Sequence, residues 1–127
     1  MTMKIHFKSS NNKEALLLKS KYSQLYNQTN LKEADVIVAI GGDGEMLKAL
    51  RLAIKNNASV FGLNTGHIGF LMNKVKKTDL IKRINIASQL IVHPLEMESI
   101  NYKEKTQKFL GINEISFIPI NFCVFSL

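Results

Sequence analysis

The stretch Gly41-Gly42-Asp43-Gly44 sets a single carboxylate among three glycines, directly after the apolar run Val36–Ile40. Glycine has no Cβ and tolerates positive φ, so the chain can turn sharply here and bring its backbone close to a ligand. A helix that starts at such a turn aims its free N–H groups and the positive end of its dipole at that ligand. This favours an anion such as a diphosphate or triphosphate. A carboxylate repels phosphate, so Asp43 needs a separate role, either accepting a hydroxyl proton during phosphoryl transfer or helping to hold a divalent cation. The plainer alternative is a tight strand-to-helix turn in which Asp43 merely caps the helix. A second glycine-bearing loop, NTGHIGFLMN at 64–73, follows the short apolar run Val60–Leu63. Leu47 stands where a G-x-G-x-x-G fingerprint would carry its third glycine, and no G-K-[ST] is present. Neither a Rossmann dehydrogenase nor a P-loop NTPase is supported.

Strands and helices must position these loops, and the hydrophobic period switches along the chain as an α/β architecture requires. Lys4–Lys8 reads as a first strand, and Asn12–Gln28, with Ala15, Leu18, Tyr22, Leu25 and Tyr26 at helical spacing, as a first helix. Val36–Ile40 is apolar on both faces, as a central parallel strand must be, and Met46–Lys55 sets Met46, Leu47, Leu50 and Ile54 on one helical side. Val60–Leu63 predicts another buried strand, and Thr78–Ile86 a third helix with Asp79 near its first turn. Loops of this kind lie at the carboxyl edge of an open parallel sheet, where ligands bind. From Leu90 the pattern changes to strands at Leu90–His93, Leu95–Ile100 and Phe109–Phe117 with no full helix between them. The expected fold is therefore an α/β domain over residues 1–89, an open and mostly parallel sheet with flanking helices. The first strands of a truncated β-rich domain follow at 90–127.

Composition agrees with a packed chain: 127 residues, 46% of them hydrophobic and 21% charged, suit one compact domain or one domain plus the start of another. The formal charge of +7 raises nucleic acid as a partner. The excess is scattered lysine, however, with only Arg51 and Arg83 as arginines and no interleaved aromatics for stacking. No nucleic-acid partner is expected, and the basic surface suits anionic nucleotides instead. Cys123 is the lone cysteine, which excludes an internal disulfide, and His6, His67 and His93 are too far apart for a local metal motif. The amino-terminal stretch has no export-type apolar region, and the longest uncharged apolar run, Ile115–Leu127, is too short for a bilayer. A cytoplasmic protein without a membrane span is expected.

Taken together, three motifs resemble the NAD kinase family, whose members transfer the γ-phosphate of a nucleotide to the 2′-hydroxyl of the adenosine ribose of NAD, giving NADP. Gly41–Gly44 resembles its GGDG, which lipid kinases share. Asn64–Leu71 matches the more specific N-x-G-x-x-G-F-L, and Asn113-Glu114 sits where the family has an Asn-Glu pair opening a strand of its second domain. The resemblance implies that Asp43 is the catalytic aspartate beside the 2′-hydroxyl and that Gly42 and Gly44 approach the dinucleotide's phosphates. Phe70 would pack against the adenine, with an ordinary core position as its alternative, and Asn113 and Glu114 would hydrogen-bond the adenosine. It further implies NAD and ATP, or another phosphate donor, as substrates, a divalent cation such as Mg2+, and homo-oligomers. Thr65 and His67 fall at variable places of the loop motif and read as loop residues. Glu45 departs from the small hydroxyl or apolar residue common after GGDG. A carboxylate there suits the helix dipole but repels phosphate.

The resemblance covers about residues 4–117 and stops where the family continues through most of its β-rich second domain. Nothing in the tail IPINFCVFSL resembles that domain's glycine-, serine- and threonine-rich motif. The expectation is a premature or frame-shifted end, or a separately encoded C-terminal half. Two rival readings follow: an inactive fragment with at most weak nucleotide or partner binding, and a GGDG-type lipid kinase, against which the N-x-G-x-x-G-F-L loop argues.

Overall fold

A computed structural model describes residues 2–66 and 69–112. The chain divides into two compact units, Met1–Ser88 and Gln89–Leu127.

In the first unit, strands β1 (Ile5–Ser9), β2 (Val36–Gly41), β3 (Ser59–Asn64) and the short β4 (Asn73–Lys74) form one sheet in that spatial order. All neighbours are parallel, with Val36 opposite Ile5 on one side and Ser59 on the other. Every residue of β2 is buried, which explains its unbroken Val-Ile-Val-Ala-Ile run: helices cover both faces of a central parallel strand. Val36, Val38 and Ile40 pack with Phe7, Ala15, Tyr22, Phe61, Leu63 and Leu80 on one face. Ile37 and Ala39 pack with Ala49 and Ala53 on the other.

Those two clusters place helix α1 (Lys13–Tyr26) and helix α3 (Leu80–Ile86) on one face and helix α2 (Asp43–Asn56) on the opposite one. Because β1, β2 and β3 are adjacent, parallel and in chain order, the β1–α1–β2 and β2–α2–β3 crossovers have opposite hands. One of them departs from the right-handed rule that nearly all such crossovers obey. The consequence is geometric. At the carboxyl edge the loops after β1 and β2 leave to opposite faces, and a crevice opens between neighbouring loops that diverge in this way.

Helix boundaries follow the capping chemistry. Asn12 caps α1, its Oδ1 accepting from the Ala15 N–H at 2.9 Å, and Asp79 caps α3 by accepting from the Ile81 N–H at 2.9 Å. Helix α2 begins at Asp43, three residues earlier than apolar spacing suggests, because helix formation starts directly out of the glycine turn. A 3-10 turn at Leu31–Glu33 and the two-residue β4 carry no periodic signal.

The second unit holds a hairpin of β5 (Leu95–Ile100) and β6 (Thr106–Gly111), paired antiparallel. Asn101 shapes its turn, with Oδ1 accepting from the N–H groups of both Lys103 and Lys105. The expected strand at Leu90–His93 does not form. Those residues pair with no strand among the described residues, Leu90 and Ile91 are exposed, and Pro94 interrupts the run. The remainder of the expected Phe109–Phe117 strand, beyond residue 112, lies outside the described residues.

Candidate active site

The carboxyl ends of β1, β2 and β3 meet at the glycine turn. The Ser10 N–H donates to the Ile40 carbonyl at 3.0 Å, and the Thr65 N–H donates to the Gly41 carbonyl at 3.0 Å, so both neighbouring loops are tied to the end of β2. Only Gly41 of the three glycines has a left-handed backbone, with φ of 155°. It is also the tightest, since a Cβ there would lie 3.0 Å from Ser10 Oγ and 3.1 Å from Glu45 Cβ. Gly42 is extended and Gly44 helical, so of the three only Gly41 uses glycine's tolerance of positive φ. A Cβ at either would meet nothing within 4 Å. Among the described residues, therefore, no atom fills the space beside Gly42 and Gly44.

Gly42 is the N-cap of α2, and no side chain among the described residues caps the helix start. The Glu45 N–H donates to the Gly42 carbonyl at 3.1 Å, which leaves the Asp43 and Gly44 N–H groups without a partner among the described residues, and such groups favour an anion. Asp43, which follows as the first helical residue, makes no capping bond of its own. Its carboxylate reaches across to the second glycine loop: Oδ2 accepts from the Phe70 N–H and Oδ1 from the Leu71 N–H, both at 3.0 Å. The two glycine motifs are thus one structure, joined through Asp43. Phe70 is 96% exposed, which rules out the core alternative for its ring.

Glu45 is turned inward and 5% exposed. Its Oε1 lies 3.0 Å from Lys8 Nζ and its Oε2 3.8 Å from Lys48 Nζ. The repulsion expected between this carboxylate and a bound phosphate is offset by the ammonium at the end of β1, while the charge still favours the first turn of α2. Lys8, Ser10 and Gly69 are the site residues that sequence spacing does not reveal. The first two become visible only when parallel pairing sets the end of β1 beside the end of β2.

Among the described residues, the buried Thr65 hydroxyl, the Asn64 Oδ1 and the Glu45 Oε1 have no hydrogen-bond partner of good geometry, so Glu45 meets Lys8 as an ion pair alone. Asn64 also lines an open groove of about 660 Å³ with Leu18, Lys21, Lys74 and Val75, apart from Asp43. Asn113, Glu114 and His67 lie outside the described residues. Among the described residues, no three His, Cys, Asp or Glu side chains gather as a metal cluster. With Glu45 taken up by Lys8 and Lys48, Asp43 is the carboxylate left at the turn, which suits a cation held mainly by phosphates and water, as Mg2+ commonly is, rather than an all-protein cage. No helix of the described residues is long and apolar enough to cross a membrane.

The family profile described as ATP-NAD kinase N-terminal domain matches residues 2–85, more than half of the chain. A curated protein of Caulobacter vibrioides named NAD kinase is 37% identical over 115 residues, covering 91% of this chain and 44% of the relative. An NAD kinase of Zymomonas mobilis is 41% identical over 97 residues, covering 75% and 38%, and one of Rickettsia prowazekii is 37% identical over 105 residues, covering 83% and 41%. The chain spans less than half the length of each of these relatives. The profile match spans the glycine turn, Asp43 and the Asn64–Leu71 loop together, and on it the chain belongs to the NAD kinase family.

Proposed function

We propose that this chain supplies the α/β part of an NAD kinase active site, with residues 1–89 as the nucleotide-binding domain and 90–127 opening a β-rich second domain. The observation that carries the reading is Asp43: at the start of α2, where Glu45 is buried against Lys8, it is the carboxylate that stays accessible to a ligand, beside space over Gly42 and Gly44 that no described residue fills. The first-turn amides bind phosphate oxygens of the dinucleotide, and the absent Cβ atoms let them approach. The 2′-hydroxyl of the adenosine ribose attacks the γ-phosphorus of ATP or another donor. A new O–P bond forms while the bond from that phosphorus to the oxygen bridging the β-phosphate breaks, and the hydroxyl proton passes to Asp43. The products are NADP and a nucleoside diphosphate.

Each oxygen of Asp43 uses one acceptor site on a loop amide and keeps another free. One serves the hydroxyl. The other, with the donor's phosphates, would hold a divalent cation such as Mg2+, which neutralises charge developing on the β- and γ-phosphate oxygens. The exposed ring of Phe70 offers a face to the adenine, and Asn113 and Glu114 hydrogen-bond the adenosine. Such chemistry on free nucleotides fits a cytoplasmic location.

A chimera tests this. Residues 2–85 replace the matching segment of the Caulobacter vibrioides relative, and NADP formation is followed with ATP and magnesium. The chimera should make NADP, and its Asp43→Ala form should lose about two to four orders of magnitude. A folded chimera with no turnover, or an Asp43→Ala form that keeps full turnover, contradicts the proposal.

A further inference from the structure

We infer that Asp43 is also the latch of the segment 69–72, and that Gly69 is the positioning residue that makes the latch possible. The two amides Asp43 holds are adjacent in the chain and lie 27 and 28 residues beyond it, so its carboxylate plane is gripped from outside its own helix. Phe70 and Leu71 belong to no strand or helix, and both are exposed. Their N–H groups would otherwise face water.

Gly69 has a reason for being glycine that differs from the conformational one at Gly41. Its backbone is not in the left-handed region, but a Cβ would stand 2.6 Å from Asp43 Oδ1, 3.3 Å from Asp43 Cγ and 3.2 Å from Met72 Cγ. The clash is with a carboxylate already committed to two hydrogen bonds, not with the loose end of a flexible chain. Alanine at 69 must therefore push the carboxylate out of its seat or lift the loop away from it. The second glycine of the N-x-G-x-x-G-F-L stretch works by making room for the aspartate of the other motif.

The orientation of the carboxylate and the height of the Phe70 ring are consequently set together. For its effect on turnover this rests on the kinase reading above, whereas the latch itself does not. Asp43→Asn then does more than remove a base. An amide side chain accepts through Oδ1 alone and presents an N–H2 to the other loop amide, so one of the two bonds becomes a donor facing a donor. The variant should loosen the loop as well as slow the chemistry.

Residue-resolved amide hydrogen exchange on the 127-residue chain tests the latch without any ligand, alongside a thermal melt. In the wild type the Phe70 and Leu71 amides should be protected although they lie in an exposed loop. Asp43→Ala and Gly69→Ala should each speed exchange at those two amides by roughly tenfold or more, leaving β2 and α2 unchanged. Asp43→Asn should release one of the two and spare the other. Unaltered exchange at Phe70 and Leu71 in Asp43→Ala would overturn the proposal, as would acceleration spread equally through β2 and α2. In the chimera, Gly69→Ala should lower kcat by roughly tenfold or more although every chemical group is still present. Absence of NADP from the unmutated chimera would sink the kinase reading and leave the exchange result standing.

Discussion

Helices α1 and α2 begin at the carboxyl ends of adjacent parallel strands, have the same length of 14 residues, and are finished in opposite ways. The start of α1 is closed. Asn12 accepts from Ala15, and its own amide donates to Ser10 Oγ at 2.8 Å, so the loop after β1 satisfies itself. The start of α2 is open, with glycine as its cap, glycine as its second residue, and a carboxylate that spends its bonds on another loop. Against glycine a side-chain cap is worth roughly a few tenths of a kcal/mol to a helix, and α2 goes without one. Local stability is forgone where, among the described residues, the loops after β1 and β2 part to opposite faces of the sheet, and on the proposed reading that is where bound phosphate would need unfilled N–H groups.

Breaking the chemistry at the open end should have the largest effect: beyond the loss of turnover in Asp43→Ala, the same substitution at the closed end, Asn12→Ala, should leave the chimera's kcat and KM within about twofold. Stability should respond the other way. Asn12→Ala should cost about 1 kcal/mol in a denaturant melt, since a single capping bond is removed from α1. Larger than that is the expected effect of Lys8→Met, which strands the buried Glu45 carboxylate beside the exposed Lys48. The loss should be about 1–3 kcal/mol, below that for a fully buried pair because Lys8 is partly exposed. A Glu45→Gln change in the same background should recover most of it.

The smallest effect belongs to the face of α1 that packs against the sheet. Burial and the neighbouring Tyr26 raise the pKa of Tyr22, with Arg83 opposing. A phenol whose folded pKa lies above its unfolded value contributes stability that is fully present below the unfolded value, near 10, and lost as pH rises through the folded one. Tyr22→Phe should therefore flatten the alkaline limb of a stability-versus-pH curve above about pH 10, and leave it unchanged near neutrality.

How much of this is legible in the sequence depends on the range of the interaction. The buried run of β2, the periodicity of α1, and the glycines around Asp43 are local, and they point to a parallel α/β sheet with a phosphate-binding turn. The same local logic misplaces the start of α2, because helix formation out of Gly42 precedes the first apolar residue, Met46. It fails at Leu90–His93, where an apolar run lacks a described partner strand and meets a proline. What it cannot reach is non-local: Lys8 neutralising Glu45, Ser10 packed on Gly41, and Gly69 yielding space to Asp43 all depend on which strand ends are neighbours. The opposite faces of α1 and α2 are equally hidden, since each helix has an apolar side whatever sheet face it covers.

Closing α2 as α1 is closed tests the central claim most directly. Gly42 is extended with φ of −111° and ψ of −169°, and a Cβ there meets no described atom within 4 Å, so Gly42→Ser suits the backbone and can supply the missing cap. Melting of the chimera should be unchanged or raised by a few tenths of a kcal/mol, while calorimetric titration should show NAD binding weakened by about tenfold or more as the hydroxyl takes an amide and the space meant for phosphate. Unweakened NAD binding in a stable Gly42→Ser chimera would contradict the account, and would make the open start of α2 a bare turn.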